Sequence, residues 1–299
     1  MLKRIIYSCL GLSLLFIGSI AYFSYDLYRF SQSTLTINQP TVYYFQPGTS
    51  VHRMSQQLFD QRYIHKPNYL RWLIRLKGIS TSLQAGEYEL YPGLTVNELL
   101  TDMQYGNIKL RSITFIEGWT FAELLNHIQQ TNTISQTLSH LPPAQIMAQL
   151  GNADRHPEGQ FFPDTYAYAR GATDKAILHT ALKQMEKQLN QAWQQRQANL
   201  PYQTPEELLI VASIIEKEAN LHHERPIVAG VIVNRLNKKM RLQVDPTVIY
   251  GLGDQYQGRL TRQDLLTDTP YNTYMHRGLT PTPIAMPSQI GRASCRERV

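Results

Sequence analysis

Cysteine is almost absent from the 299-residue chain, which contains only Cys9 and Cys295. Cys9 lies in an apolar N-terminal run and Cys295 in a polar tail, so the sequence has no disulfide framework and no metal-spaced cysteine set. The pair His222-His223 does not change this, because adjacent residues do not share a helix face. Gly251-Leu252-Gly253 lacks the strand-to-helix context of a dinucleotide site. We therefore predict neither a metal nor a cofactor.

Runs of basic residues interleaved with aromatics are also missing. The formal net charge is +6, but the charged residues are dispersed along the chain. A nucleic-acid partner is therefore not expected. The apolar content suffices for a sizeable core. The length favours two modules with accessory segments over one domain.

One long uncharged run is present, from Ile5 to Tyr25. Its length predicts a membrane-spanning helix. Lys3 and Arg4 precede the run, which places residues 1–4 in the cytoplasm and the rest of the chain beyond the membrane. The alternative is a cleaved signal peptide with a site at 19–21, but the run is long for such a peptide. We favour an uncleaved anchor followed by a polar linker at 26–40.

A strand, tight turn and helix pattern occurs three times after the linker. Each copy is a strand-like run that leads to a glycine, with a hydroxyl residue two positions later: Gly48 and Ser50, Gly93 and Thr95, Gly118 and Thr120. These hydroxyls are placed to cap helices, and Glu98 and Glu123 complete capping boxes. The fold class predicted is α+β, with a small module at 41–110 and a larger domain at 111–290. A predicted helix at 67–76 lies inside the small module.

The last residues, 291–299, form a small, polar, basic tail without periodicity. We expect a vector-derived or read-through segment and exclude it from the fold. A natural disordered tail is the alternative.

The chain is organised around a helix predicted from Thr204 to Ala219. Thr204 is a good N-cap, Pro205 suits the first helical position, and Glu207 stands where a capping box places its acid. Residues 208–215 contain one polar side chain, Ser213. This composition predicts a helix that is buried on nearly all sides.

Two carboxylates, Glu216 and Glu218, follow the apolar part of this helix. A carboxyl whose pKa is raised by an apolar environment is suited to general acid catalysis near neutral pH. At about 100° per residue the two acids flank the buried stripe on opposite edges, so periodicity does not choose between them. Alternatively, both are surface acids in the last helical turn.

Three later segments contain polar side chains that are candidates for a site. They are Arg241-Leu242-Gln243 with Asp245-Pro246-Thr247, Tyr271 to Tyr274, and a rigid run from Gly278 to Ile284. We predict a short strand around 240–244 and a helix capped by Asp245. The aromatic loop 156–166 is either an ordinary packed loop or a cleft wall that stacks sugar rings.

These motifs, together with Glu216-Lys217-Glu218 and Pro163-Asp164-Thr165-Tyr166, resemble the endolytic murein transglycosylases in residue type and order. The resemblance implies a single-pass inner-membrane protein with a LysM-like module and a periplasmic catalytic domain. It implies internal cleavage of peptidoglycan glycan strands at the bond between N-acetylmuramic acid and N-acetylglucosamine. The products would carry 1,6-anhydro-N-acetylmuramic ends, and the activity would help to terminate nascent strands.

The resemblance also distinguishes the two acids, because the catalytic acid of the family matches Glu218. Gln243, Asp245, Asn272 and Tyr274 are our candidates for positioning the sugar, and turn capping or loop bonding is the alternative for each. The expected partners are glycan strands and the cytoplasmic membrane. The cell-wall synthesis machinery is a further class of partner that the resemblance suggests.

The chain departs from the family pattern at Thr280, where proline is usual, and family members continue for several tens of residues beyond the tail. We therefore expect the catalytic domain to be truncated at its C-terminus. Two other functions stay open. One is a membrane-tethered, non-catalytic peptidoglycan-binding scaffold acting through 41–110. The other is a hydrolytic glycosidase with Asp245 as its second acid.

Overall fold

The computed structural model describes residues 2–219, 221 and 223–288. The chain combines helices and strands, as predicted, and divides into two compact units, the first ending at Arg111 and the second beginning at Ser112. The boundaries drawn at 41–110 and 111–290 and the LysM likeness stay predictions. The tail 291–299 lies outside the described residues.

The first unit contains a long helix followed by two short strands and three helices. They are α1 (Leu2–Gln32), β1 (Thr41–Phe45), α2 (Val51–Asp60), α3 (Pro67–Leu76), β2 (Gly86–Leu90) and α4 (Val96–Tyr105). β1 and β2 are antiparallel, with Thr41 opposite Leu90 and Phe45 opposite Gly86. The core beneath them is continuous and includes Met54, Leu58 and Ile74, all fully buried.

The second unit is mainly helical. Its elements are β3 (Leu110–Thr114, which begins at the unit boundary), α5 (Phe121–Gln130), α6 (Pro143–Gln149), β4 (Thr165–Ala169), α7 (Asp174–Gln194), α8 (Pro205–Glu218), α9 (Arg225–Asn237), α10 (Asp245–Leu252) and α11 (Arg262–Leu265). β3 pairs with β4. One apolar cluster lies beside this pair, and a second surrounds α8.

The predicted strand, turn and helix pattern is confirmed in all three copies. Ser50 accepts a hydrogen bond from the Arg53 amide at the start of α2. Thr95 and Thr120 form full capping boxes with Glu98 and Glu123 at the starts of α4 and α5. These caps fix where three helices begin, because each satisfies amides that have no partner within the helix.

The segment 26–40 is not the polar linker that the sequence predicts. α1 continues to Gln32, and Leu27, Phe30 and Leu35 are buried in the core of the first unit. Thr34 forms an isolated bridge with Thr95. Leu27 and Phe30 are apolar residues at helical spacing, and this spacing is the sequence signal that they belong to the core. Within the described residues, α1 alone is long and apolar enough to cross a membrane, judged by length and composition.

α8 is buried on all sides over Leu208–Ile215, as predicted. Thr204 caps it by accepting from the Glu207 amide, but Glu207 accepts from the Gln203 amide instead of completing a capping box. Ser213, its one polar interior residue, donates to the Ile210 carbonyl and accepts from the Ile284 amide at 3.0 Å. The helix is thereby joined to the segment that follows the Gly278 turn.

The prediction for residues 240–245 is wrong in two respects. Residues 241–244 form no strand, and Asp245 is the first residue of α10 rather than its cap, which is Val244. The reason is that the backbone here bonds to another loop: the amides of Gln243 and Val244 donate to Thr273. The bonds to Thr273 take the place of strand pairing for these residues.

We expect Ser213→Ala to lower the free energy of unfolding by about 1–3 kcal/mol, because the Ile284 amide would lose its partner in a buried site. Chemical denaturation of the second unit measures the change. Ser112→Ala, at an exposed strand position, is the matched control and should be nearly neutral. Equal effects of the two substitutions would contradict the role given to Ser213.

Candidate active site

The two acids at the end of α8 occupy different environments. Glu216 is buried, with a side chain 5% exposed, and its Oε1 lies 2.5 Å from Nη2 of Arg225. The amide and hydroxyl of Ser288 donate to its Oε2 at 3.0 and 2.9 Å. Both carboxylate oxygens are therefore occupied, and Glu216 is an internal structural acid rather than the surface acid that composition allowed.

Glu218, in contrast, is exposed at the surface, and we find no hydrogen bond or ion pair to its carboxyl among the described residues. Burial of part of the side chain raises the pKa of Glu218, and the nearby charge of Asp245 raises it further. The sequence predicted a raised pKa caused by an apolar environment. Here partial desolvation combines with a neighbouring acid, and the carboxyl stays accessible to a ligand.

The loop around Thr273 holds Asp245 in place. The Gln243 amide donates to the Thr273 carbonyl at 3.1 Å, and the Val244 amide donates to the Thr273 hydroxyl at 3.0 Å. Thr247 adds a hydroxyl–hydroxyl bond of 2.8 Å to Thr273. Gln243 has a left-handed backbone, with φ of 51°, which is unfavourable for a residue other than glycine. The exposed Gln243 side chain is thus presented from a constrained turn.

Tyr274 and Asp245 form a hydrogen-bonded pair beside Glu218. The Tyr274 hydroxyl donates to Oδ1 of Asp245 at 2.5 Å. This bond, with desolvation and the charges of Asp245 and Glu218, raises the pKa of Tyr274 to about 12. The influence of both acids on Tyr274, and of Asp245 on Glu218, indicates that the three groups share one locus.

Asn272 is in a different position from the other candidates. It is fully buried, and its side-chain amide donates to the carbonyls of Leu265 and Thr267 while its oxygen accepts from the Tyr274 amide. These bonds fix the loop that carries Tyr274. Because the Asn272 side chain is buried and bonded within the loop, its contacts favour a structural role over direct contact with a sugar.

The aromatic loop 156–166 is a packed loop. Phe161 is fully buried and stacks on Phe121, with ring centroids 5.3 Å apart, and β4 begins at Thr165. A Cβ at Gly159 would lie only 2.5 Å from the Pro283 side chain, so this close approach requires glycine. The loop is therefore part of the core, and the interpretation as a sugar-stacking wall is wrong for Phe161.

Glu158 is a buried acid in this loop that sequence reasoning did not select. Its carboxylate accepts from the Phe121 amide at 2.9 Å and from the Tyr250 hydroxyl at 3.0 Å. Burial raises the pKa of Glu158 to about 7, and these hydrogen bonds oppose the rise. The sequence signal that could have identified Glu158 is an acid between Pro157 and Gly159 within an aromatic loop. Glu158 links the start of α5 to α10, the helix that begins at Asp245.

Among the described residues, no group of three or more His, Cys, Asp or Glu side chains is placed to hold a metal ion. His222, considered with His223 as a possible ligand pair, lies outside those residues.

Residues 43–291 match the model of the YceG-like family, and the chain belongs to that family. It is 30% identical over 274 residues to the endolytic murein transglycosylase of Bacillus subtilis, covering 85% of this chain and 73% of that protein. It is also 30% identical to the endolytic murein transglycosylase of Streptococcus pneumoniae, covering 70% of this chain but only 43% of the relative's length. The predicted resemblance is confirmed, and these names agree with the predicted lyase class.

A solved structure supports the fold. The crystal structure of a YceG-like protein from Listeria monocytogenes aligns with a TM-score of 0.51 and 25% identity, over 88% of this chain and 92% of that one. The alignment thus extends over both units of the chain.

We expect Glu158 to make stability depend on pH. Its pKa is raised from 4.5 in the unfolded chain to about 7 in the fold. Its contribution is therefore full below pH 4.5 and is lost as the pH rises through 7, by up to about 3 kcal/mol. Denaturation of Glu158→Gln across this range should show a flatter pH dependence than the parent chain. Asp154→Asn, at an exposed acid before the same loop, should keep the parent slope, and a parent slope in Glu158→Gln would contradict the assignment.

Proposed function

We propose that the chain is an endolytic peptidoglycan lytic transglycosylase in which Glu218 is general acid and then general base. The bond cleaved joins N-acetylmuramic acid to N-acetylglucosamine within a glycan strand, and the product end is 1,6-anhydro-N-acetylmuramic acid. Family membership and the names of the relatives support the activity. The proposal depends on one observation. Glu218 is accessible and has a raised pKa, whereas both carboxylate oxygens of the nearby Glu216 are bonded to Arg225 or Ser288.

The chemistry requires one proton that is donated and recovered. Protonated Glu218 donates to the bridging oxygen, so that the N-acetylglucosamine side leaves as an alcohol. The Glu218 carboxylate then takes the proton of the C6 hydroxyl of the muramic residue, whose oxygen bonds to the anomeric carbon. No water is added, and Glu218 ends in its starting state. Partial burial raises the pKa of Glu218, and the charge of Asp245 raises it further. The exposed Gln243 and the Tyr274 hydroxyl would orient sugar groups.

The location proposed is the bacterial inner membrane. The apolar part of α1 is long enough to span the bilayer, and Lys3 and Arg4 favour a cytoplasmic N-terminus. The second unit would then act in the periplasm, where glycan strands are made. Termination of nascent strands, and contact with the synthesis machinery, are parts of the same proposal.

Glu218→Gln should abolish release of anhydro-ended products from purified sacculi, because the amide neither donates the required proton nor recovers one. The stability of this variant should equal that of the parent, since Glu218 is exposed. Mass spectrometry of the digest measures the products, and thermal unfolding checks the fold.

Glu216→Gln is the control for the neighbouring acid. It should lower the unfolding temperature, because it removes one charge of a buried ion pair, while the folded fraction still releases anhydro products. Full activity of Glu218→Gln, or loss of activity only in Glu216→Gln at a temperature where it stays folded, would contradict the assignment.

The hydrolytic alternative has one observation in its favour, the proximity of Asp245 to Glu218. A hydrolase leaves reducing ends that are heavier by one water than anhydro ends. The same digest therefore separates the two reactions. Reducing ends as the primary product would favour the hydrolase.

Asp245→Asn tests how the pKa of Glu218 is set. The negative charge of Asp245 raises that pKa, so its removal should shift the alkaline limb of the activity profile to lower pH. Initial rates of anhydro product release across the pH range measure the shift. Asp254→Asn, at an exposed acid beyond α10, should leave the limb in place. An unchanged limb in Asp245→Asn would mean that Asp245 does not act on the catalytic proton.

A further inference from the structure

The first unit contains a basic cavity that the proposed catalysis does not use. Its volume is about 560 Å³. It is lined by the start of α2, one side of α3 and the turn after α3: Val51, His52, Asn68, Arg71, Trp72, Arg75 and Ser80. These described lining residues include two guanidinium groups and no acid.

The charge in this cavity is not neutralised by the protein. Arg71 Nη1 lies 2.5 Å from Nδ1 of His52. A guanidinium only donates hydrogen bonds, and His52 supplies no negative charge to offset it. We find no acidic partner for Arg75 among the described residues, and its side chain is exposed. Two cations facing one concave site without a counter-charge favour an anionic ligand, and guanidinium groups suit phosphate oxygens.

The position of Trp72 indicates where this anion comes from. The Trp72 ring lies edge-on to the ring of Phe23 of α1, with centroids 6.5 Å apart, and the Tyr69 ring lies 5.7 Å from the Phe23 ring. Phe23 is within two residues of the outer end of the uncharged run that closes at Tyr25. In a helix that spans the bilayer this end lies at the interface, where tryptophan and tyrosine are enriched. Trp72, which is 49% exposed, therefore lies at the depth of the lipid headgroups.

We propose that this cavity binds the phosphate of a phospholipid headgroup from the outer leaflet around α1, with a preference for anionic lipids. Arg71 and Arg75 would hold the phosphate and Trp72 would pack against the upper acyl chain. The proposal rests on the membrane anchor in the proposed function but is independent of the catalytic role of Glu218.

The test uses the full chain in nanodiscs with Trp119→Phe and Trp193→Phe, so that Trp72 is the only tryptophan. Two sets of discs are compared: one contains brominated phosphatidylglycerol, and the other contains the same fraction of brominated phosphatidylcholine. In both lipids the bromine lies near the headgroup end of the acyl chain. We expect Trp72 fluorescence to be quenched in both sets of discs, and more strongly by the anionic lipid. The attraction of one basic side chain corresponds to about a fivefold enrichment of anionic lipid near the cavity.

Arg75→Ala should remove the preference for the anionic lipid while leaving Trp72 at the same depth. Arg53→Ala, which removes an exposed charge from α2 outside the cavity, is the matched control and should retain the preference. Equal quenching by the two lipids in the parent, or equal preference in both variants, would overturn the proposal. Loss of the preference on adding inorganic phosphate would assign the cavity to a free anion and would also overturn it.

Failure of this site and failure of the proposed function give different results. If Trp72 is unquenched by either lipid while sacculi are still cleaved, the headgroup site is wrong and the enzyme assignment stands. If the discs behave as expected but no anhydro ends are formed, only the catalytic assignment fails. Should the tryptophan replacements unfold the second unit, hydrogen exchange of residues 71–80 in the unaltered chain gives the same comparison. Protection only in anionic discs supports the site, and equal exchange in both contradicts it.

Discussion

The ion pair between Glu216 and Arg225 is the interaction on which the candidate site depends. It is almost fully buried, and a buried charge without its partner is strongly destabilising. It joins the end of α8 to the start of α9 and, through Ser288, to the segment near the end of the described chain. With Leu208–Ile215 buried on all sides, α8 has little freedom to rotate or slide. The last turn therefore holds Glu218 in a fixed position.

Two acids of one helical turn thus have opposite roles because of their surroundings. Glu216 has cationic and hydroxyl partners, so its charge is used within the fold. Glu218 has no such partner among the described residues. Partial burial disfavours its charged form, and the charge of Asp245 adds to this effect. A buried partner stabilises a carboxylate, whereas a neighbouring acid and partial desolvation stabilise the protonated carboxyl. This difference separates the structural acid Glu216 from Glu218, the acid that we propose as catalytic, and spacing along the helix does not reveal it.

The sequence predicted what depends on local chemistry. The three capped helices and the buried α8 follow from side chains within a few residues of each other. The errors concern groups whose partners are distant in the chain. Leu27 and Phe30 join a core formed by later helices, residues 241–244 bond to Thr273, and Glu158 meets Tyr250, 92 residues away. No periodicity encodes such pairings, so the linker, the predicted strand and the missed acid have a common cause.

The same distant pairings bear on the proposal that one carboxyl acts first as acid and then as base. An acid that must also act as a base works best when its pKa lies near the working pH. Complete burial would raise the pKa of such an acid further but would also make it inaccessible to a ligand. Asp245 adds to the effect of desolvation on an accessible Glu218, and the Tyr274 hydroxyl donates a hydrogen bond to Asp245. Hydrogen bonds to Thr273 and Asn272 hold the backbone beside Asp245 and the backbone of Tyr274. The proton affinity of Glu218 thus depends on partial desolvation together with a charge fixed by loops.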